Sequence, residues 1–456
     1  MPAKKKQIIQ EVETLADLCK NTCTFLWENP EVGGTEKKSS EYMRNLMRDA
    51  GFAIVNEEKI PYAFLAEYGS GKPVIAILGE YDALPGLSQK NDSVEKDPVV
   101  PGGPGHGCGH NMIGSAAATA AIALKNTMEK EGLSGTIRFY GCPEEELLSG
   151  KVKMAYYKMF DGCDIALSWH PSSANAVYEA SYLACAYAKF YFHGLTAHAA
   201  FAPHLGRSAL DAMELMNVGV NYLREHVISD ARIHYSTDSC GIPPNIVPDK
   251  AVNWYCIRAP KMTDVKSILD RIIKVAKGAA MMTETEVEVK IEHGCCEAFP
   301  NTKYADLTYD VMKSIAPPVF TSEELHFAAQ LQAALRPEAV KAEQATYGRK
   351  ETMHTAVASR EIGKKLYMKA SSDSGDVSYM MPMNLFTTAC WPFGVAPHTW
   401  QASACAGSSI GAKSALYAAK VLAATGYELL TNPAKANEII AEFKAANVDY
   451  APMYKD

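Results

Sequence analysis

Three short, largely apolar runs, 74–79, 136–142 and 164–169, each stop abruptly at residues able to hold a metal or move a proton. Runs of that length, interleaved with stretches of helical period, specify buried strands of an α/β sheet. Open sheets of that kind place their sites outside the carboxyl ends of the strands. The surrounding pattern agrees. Apolar residues recur at helical spacing over 8–27 and 36–50, the first stretch stopping before Asn29-Pro30 and the second at Gly51. A further strand reads over 63–68. The segment 82–109 is a long loop rich in Pro, Gly, Asp and Ser. Structureless loops of that length are uncommon unless functional. An alanine-rich helix over 112–130 follows it. Near the C-terminus, 386–391 reads as a last core strand and 408–424 as a closing helix of small residues. The polar stretch 336–369 has no clear period.

The middle of the chain changes character. Strand-like runs at 184–192, 233–237, 251–257 and 286–291 enclose helices at 207–226 and from Thr263 onward, where Thr263 is placed to cap. The last run alternates charged and apolar residues, as an edge strand does. The order β-α-β-β-α-β is ferredoxin-like. The expected architecture is therefore an α/β catalytic domain, an open mixed sheet flanked by helices, built from 1–183 and 298–456. A ferredoxin-like α+β domain, 184–297, is inserted between its halves.

Composition excludes several functions. The chain has 456 residues, 48% hydrophobic and 21% charged, with a net charge of −7. That balance argues against a nucleic-acid partner, which needs a basic face. Lys4-Lys5-Lys6 is followed by mixed Glu, Asp and apolar residues rather than a signal h-region. The longest small-apolar run, 115–124, is too short to span a bilayer. Twelve cysteines lie without framework spacing. Free thiols in a reducing cytoplasm are expected.

Four places carry the chemistry. The turn Gly105-His106-Gly107-Cys108-Gly109-His110-Asn111 sets a thiol and an imidazole two residues apart. Pro143-Glu144-Glu145-Glu146 follows the run 136–142, and three adjacent carboxylates repel one another unless cations are near. Trp169-His170-Pro171 ends the run 164–169, and Pro397-His398-Thr399-Trp400 follows the last strand. Each alone is as readily structural as functional. Together they offer one thiolate, three imidazoles and two or three carboxylates. That set exceeds one tetrahedral zinc and suits two metals, with one Glu left as general base. His106 and His204 read as structural.

The segments GEYDALPGLSQ (79–89), PGHGCGHNMIGSAA (104–117), RFYGCPEEELLSGK (138–151), LSWHP (167–171), AHAAFAPHLGRSALDA (197–212), SCGIPPNIVPD (239–249) and PHTWQ (397–401) carry a resemblance over nearly the whole chain. It resembles the two-metal aminoacylase/carboxypeptidase amidohydrolases with a peptidase dimerisation domain. The resemblance implies that Cys108, His110, Glu146, His170 and His398 ligate two divalent ions, Mn²⁺ or Zn²⁺. It implies that Glu145 is the general base and that Asp82 orients ligands from behind. It places His198 as the histidine that reaches a neighbouring subunit's site and stabilises the oxyanion, with Asn245 and Arg258 binding substrate. An intramolecular salt bridge is the competing role for Arg258. The sequence departs from many relatives at Glu80 (His elsewhere), Glu144, Leu147-Leu148 (Gly-Gly elsewhere) and Asn111.

The implied reaction is hydrolysis of the amide in an N-acyl amino acid, p-aminobenzoyl-glutamate foremost, which is a step of folate catabolism. The implied assembly is a homodimer or a hetero-oligomer with a paralogous subunit, with no membrane partner. A dipeptidase or aminoacylase of other specificity is one alternative. A non-catalytic binding subunit is the other, and an intact Glu145 argues against it.

Overall fold

A computed structural model of the chain describes residues 3–56, 59–179, 182–241, 243–367, 370–446 and 449–454. Met1, Pro2, Ile242 and residues 368–369, which fall in segments read above, lie outside the described residues. The chain divides into two compact units. One comprises Met1–Ala180, Phe299–Tyr367 and Val377–Tyr450, and the other Ser181–Ala298, Met368–Asp376 and Ala451–Asp456.

In chain order the strands are β1 (Ala53–Asn56), β2 (Phe64–Ser70), β3 (Val74–Glu80), β4 (Gly135–Cys142), β5 (Ile165–Leu167), β6 (His170–Ser172), β7 (Ala176–Val177), β8 (Ala184–His193), β9 (Arg232–Cys240), β10 (Lys250–Ala259), β11 (Glu286–Cys295) and β12 (Phe386–Ala389).

The main sheet of the first unit has the order β1-β2-β4-β3-β5. Strand β3 runs parallel to β4 and β5, while β2 runs antiparallel to β4 and to β1. The sheet is thus mixed, as expected. Every residue of β3 is buried, because both faces of the sheet are covered. Ile75 and Ile77 of β3, with Ile137 and Phe139 of β4, face one apolar cluster. Ala76 and Leu78, with Tyr140 and Cys142, face another. Side chains alternate faces along a strand. A slip of one residue would therefore exchange Ile for Ala on the larger face, where each buried aliphatic or aromatic side chain contributes about 1.5–3 kcal/mol.

The larger face is covered by the helix His110–Glu131, whose residues from His110 to Leu124 are all buried. Its small side chains allow close packing. A Cβ on Gly114 would stand 2.6 Å from the carbonyl oxygen of Glu80, so the helix meets the end of β3 at a distance that admits only glycine. The helix Ser409–Thr431 belongs to the same cluster. A small second sheet, β6-β12-β7, completes this unit, with β12 parallel to β6 and antiparallel to β7.

The sequence suggests one strand over 164–169, but the structure divides it. Strand β5 ends at Leu167, the Ser168 N–H donates to the Asn384 side chain at 2.7 Å, and His170 opens β6 in the other sheet. The single helical stretch over 8–27 is likewise two helices, Ala3–Thr14 and Ala16–Glu28.

The second unit has the order β11-β8-β10-β9, antiparallel throughout, and its chain order is β-α-β-β-α-β. Strand β11 is an edge, in keeping with its alternating pattern. The helices Ala209–Leu223 and Met262–Thr283 pack on one face of this sheet and bury Met213, Met216, Val220, Ile268 and Ile272. Tyr187, Trp254, Cys256 and Arg258 lie half-buried on the other face. The second of these helices starts one residue before Thr263. The Met262 N–H is satisfied by the Glu297 carboxylate at 2.9 Å, so a distant acid does the capping assigned to Thr263.

Candidate metal centre

Cys108 and His110 sit at the junction of the long loop and the helix His110–Glu131. Gly109 adopts a left-handed conformation (φ +80°) as the N-cap residue, which turns the chain so that His110 becomes the first helical residue. Asp82, two residues past the end of β3, accepts from His110 Nδ1 at 2.8 Å through one oxygen. Its other oxygen accepts the Glu146 backbone N–H at 2.8 Å. One buried carboxylate thus orients the ring of His110 and the turn after β4. His110 Nε2 is left aimed at a group of acids. It lies 3.6 Å from Glu80 Oε2, 3.6 Å from Glu145 Oε2 and 3.8 Å from Glu146 Oε1.

The remaining imidazoles close the group. His170 Nδ1 is 2.7 Å from the Pro171 carbonyl and donates to it, which directs Nε2 to Cys108 Sγ at 3.4 Å. His398 takes a positive φ of 64°, and its N–H donates to the Gly107 carbonyl at 2.9 Å. That bond ties the loop after β12 to the Cys108 turn and sets His398 Nε2 3.3 Å from Glu146 Oε2. Strain of this kind in a non-glycine residue persists only where the surroundings impose it.

Three sets of donors result, each with its ligand atoms within 4.8 Å of one another: Cys108, His110 and His170; Cys108, Glu146 and His398; and Glu80, His110 and Glu145. Cys108 is common to the first two sets. Three atoms of this group, Glu80 Oε2, His110 Nε2 and Glu146 Oε1, are buried without a hydrogen-bond partner. Each orphaned polar atom costs on the order of 1–3 kcal/mol. Burying several of them face to face is tolerable only if a cation completes their coordination. Thiolate, imidazole and carboxylate together are the donors that divalent transition metals take, and the residues fit such a group.

The electrostatics point the same way. Burial, and then the Glu80 charge, push the Glu145 carboxyl up to about 8. Burial pushes Glu146 up to about 7, with Asp82 and Glu80 adding to it against His110. Burial drives the Cys108 thiol up as well. His170 is brought down to about 4 by burial and by His110. The raised thiol and carboxyls mark a site where negative charge is costly to bury, whereas the lowered His170 reflects its burial beside the His110 charge.

Glu80 and Lys151 are the part that sequence reasoning left open. Lys151 is fully buried and lies 2.7 Å from Glu80 Oε1. Burial raises Glu80, but Lys151 and then His110 outweigh it and hold the carboxyl below its ordinary range. The charge of Glu80 had a visible signal in its departure from His. Its partner, far away in sequence, had none. Glu144 turns away from the group and is buried, bound by Ser149 at 2.6 Å and by Lys153. His106 is structural, with Nε2 at 2.9 Å from the Leu26 carbonyl.

The structure therefore brings Asp82, Cys108, His110, Glu145, Glu146, His170 and His398 together in the first unit. His198, Asn245 and Arg258 belong to the second unit. There, the backbone N–H groups of Ala200 and Phe201 donate to His198 Nδ1 at 3.3 and 3.1 Å. Nδ1 is thus the acceptor, and the exposed ring presents Nε2–H as a donor. The Asn245 carbonyl accepts from Ala199 at 2.9 Å, which fixes Asn245 beside it. No carboxylate partner of Arg258 is found among the described residues, and its neighbours are the Cys185 and Cys256 thiols and Tyr187.

Residues 76–423 match the family model for Peptidase family M20/M25/M40. The chain is 44% identical over 419 residues to the B-type subunit of p-aminobenzoyl-glutamate hydrolase from Escherichia coli (strain K12), covering 89% of this chain and 87% of that protein. It is 24% identical to the Xaa-Arg dipeptidase of Mus musculus, covering 96% of this chain and 92% of the relative. Among solved structures, a dinuclear metal-binding peptidase of the M20 family from Bacillus subtilis superposes with a TM-score of 0.55 at 17% identity, covering 90% of this chain and 98% of that one.

Proposed function

We propose that this chain, which belongs to Peptidase family M20/M25/M40, cleaves the amide bond of an N-acyl amino acid, with p-aminobenzoyl-glutamate yielding p-aminobenzoate and glutamate. It is a metallo-amidohydrolase. The observation that carries the reading is the set of buried, unpartnered donor atoms around Cys108, with Glu145 beside them. The substrate is taken from the 44% identical relative, whose name states it.

Cys108, His110, Glu146, His170 and His398 would hold two divalent cations; Mn²⁺ and Zn²⁺ are the candidates. Such ions, when bound, polarise an amide carbonyl and lower the pKa of water. Glu145 takes the proton of the attacking water and returns it to the leaving amine. Asp82 keeps His110 and the Glu145-Glu146 turn in place while it does so. His198, from a partner chain, donates Nε2–H to the oxyanion. Arg258 or Asn245 holds the α-carboxylate, Arg258 by a two-pronged bond. We assign residues 184–297 the role of dimerisation and lid domain. The assembly is a homodimer or a hetero-oligomer with a paralogous subunit, in accord with relatives named as A-type and B-type subunits of one hydrolase. No helix among the described residues is long and apolar enough to cross a membrane. Twelve free cysteines favour a reducing, cytoplasmic setting.

A dipeptidase is the second reading. It is favoured by the dipeptidase likeness over nearly the whole chain and by Leu147, which stands exposed beside Glu146 where many relatives have glycine. The test is turnover by the purified protein, supplied separately with Mn²⁺ and Zn²⁺, on p-aminobenzoyl-glutamate, N-acyl amino acids and dipeptides. Release of p-aminobenzoate at the highest kcat/KM supports the first reading. A dipeptide preferred over every N-acyl amino acid replaces it with the second. Inactivity on all three classes with metal bound refutes both.

A further inference from the structure

The described cysteines are mostly buried, and three of them form a row across the second unit's sheet. Cys185 on β8 lies opposite Cys295 on β11. On its other side, Cys185 pairs with Arg258 of β10, and Cys256 of β10 pairs with Tyr187. Cys185 and Cys256 are thus diagonal neighbours on one face, and their sulfurs lie 3.6 Å apart. The two thiols are not equivalent. Cys185 has no exposed surface, whereas Cys256 is half-buried. Arg258 lies on the same face, and the Cys185 thiol, then Arg258 and Tyr187, hold the Cys256 thiol well below its ordinary value against the opposing effect of burial. A half-buried thiol held below its ordinary value, with a second thiol in van der Waals contact, is the arrangement of a sensing cysteine and its resolving partner.

We propose that Cys256 and Cys185 form an oxidative modification site, in which a hydroperoxide oxidises Cys256 and Cys185 resolves the product as a disulfide between β8 and β10. In the first step the Cys256 sulfur attacks the peroxide. The O–O bond breaks, an S–O bond forms and, for hydrogen peroxide, one water leaves. In the second step the Cys185 sulfur attacks the sulfenic acid, the S–O bond breaks, the S–S bond forms and a second water leaves. The two thiol protons depart in the two waters, and the peroxide receives the two electrons the thiols lose. The sulfurs must close by roughly 1.5 Å to reach disulfide length, and because diagonal positions on adjacent strands set the Cα atoms about 7–8 Å apart, the bond also requires β8 and β10 to draw together locally. The bond also takes from Arg258 both of its sulfur neighbours. On the reading that Arg258 binds the substrate carboxylate, the oxidised protein has a changed KM.

The test is peptide mass spectrometry of the full-length, metal-loaded protein after graded hydrogen peroxide. The expected product is a linked Cys185–Cys256 peptide pair, 2 Da lighter than the two free peptides, which returns to thiols with dithiothreitol. It should form at doses that leave the other described cysteines reduced. Cys185→Ser should instead leave Cys256 as a sulfenic acid trapped by dimedone. Cys256 remaining reduced while other thiols oxidise, or Cys185 linked only elsewhere, overturns the proposal. KM measured on the same oxidised sample separates the two readings. A linked pair with unchanged KM upholds the modification site and refutes the substrate role of Arg258.

Discussion

Replacing Lys151 by methionine should destabilise the protein far more than loss of an ordinary surface lysine. Lys151 and Glu80 are 0% and 5% exposed and 2.7 Å apart, at the inner edge of a group that also contains Asp82, Glu145 and Glu146. At an effective dielectric constant of about 20, a pair at that distance attracts by about 6 kcal/mol. Part of this is offset by the desolvation of both groups. Removing one partner of a buried pair typically costs about 3–5 kcal/mol, because a bare charge stays behind. Here the bare charge would face further carboxylates. Urea unfolding followed by tryptophan fluorescence, in chelator, should show a loss of that size for Lys151→Met. The double variant Lys151→Met/Glu80→Gln should recover most of it, since neither charge remains. The loss should also shrink when divalent metal is supplied, because a cation beside Glu80 does part of the lysine's work. A Lys151→Met cost below about 1 kcal/mol in chelator, or an equal cost in the Glu80→Gln background, would refute the argument that this pair balances charge at the site.

Asp82→Asn keeps the shape of the carboxylate but cannot accept from both His110 and the Glu146 N–H, so metal affinity should fall about 10–100-fold by competition with a chromogenic chelator; unchanged affinity would count against its orienting role. His354 is buried and its Nδ1 accepts the Asn175 N–H at 3.0 Å, a bond open only to the neutral ring. Burial, and then Arg349, bring its pKa down to about 4 from 6.5. The neutral ring's contribution is complete above pH 6.5 and declines as pH falls toward 4, to a total of roughly 3 kcal/mol. The stability advantage of wild type over His354→Gln should therefore shrink by about 2–3 kcal/mol between pH 7 and pH 4.5, and a pH-independent difference would contradict the assignment.

Much of this architecture was legible because burial writes a regular pattern. The run at 74–79 is apolar throughout and that at 136–142 is so apart from Thr136 and Arg138, since β3 and most of β4 are covered on both faces, and their ends deliver Asp82 and the Glu145-Glu146 turn to one place. The inserted unit was legible from the order of its elements. What escaped is what depends on partners distant in sequence. Nothing local to Asp164 or Trp169 shows that the chain leaves one sheet at Ser168 and enters another at His170, because Asn384 makes the bond that ends β5. Nothing near Glu80 announces Lys151. Thr263 looked like a cap by its position, but the Glu297 carboxylate, a stronger acceptor, reaches the helix end first. The helix Pro337–Tyr347 lies inside the stretch that showed no period, and Tyr347 is its one buried residue. A helix with so little buried surface leaves almost no apolar stripe to read.

The central claim, that Glu145 is a base beside metals it does not hold in place, is tested most directly by Glu145→Gln. Metal content and p-aminobenzoyl-glutamate turnover should be measured on one sample of the variant. The account predicts two divalent ions per chain, as in the wild type, with kcat lowered by at least about 10²-fold. Turnover near the wild-type rate with both ions bound would contradict it.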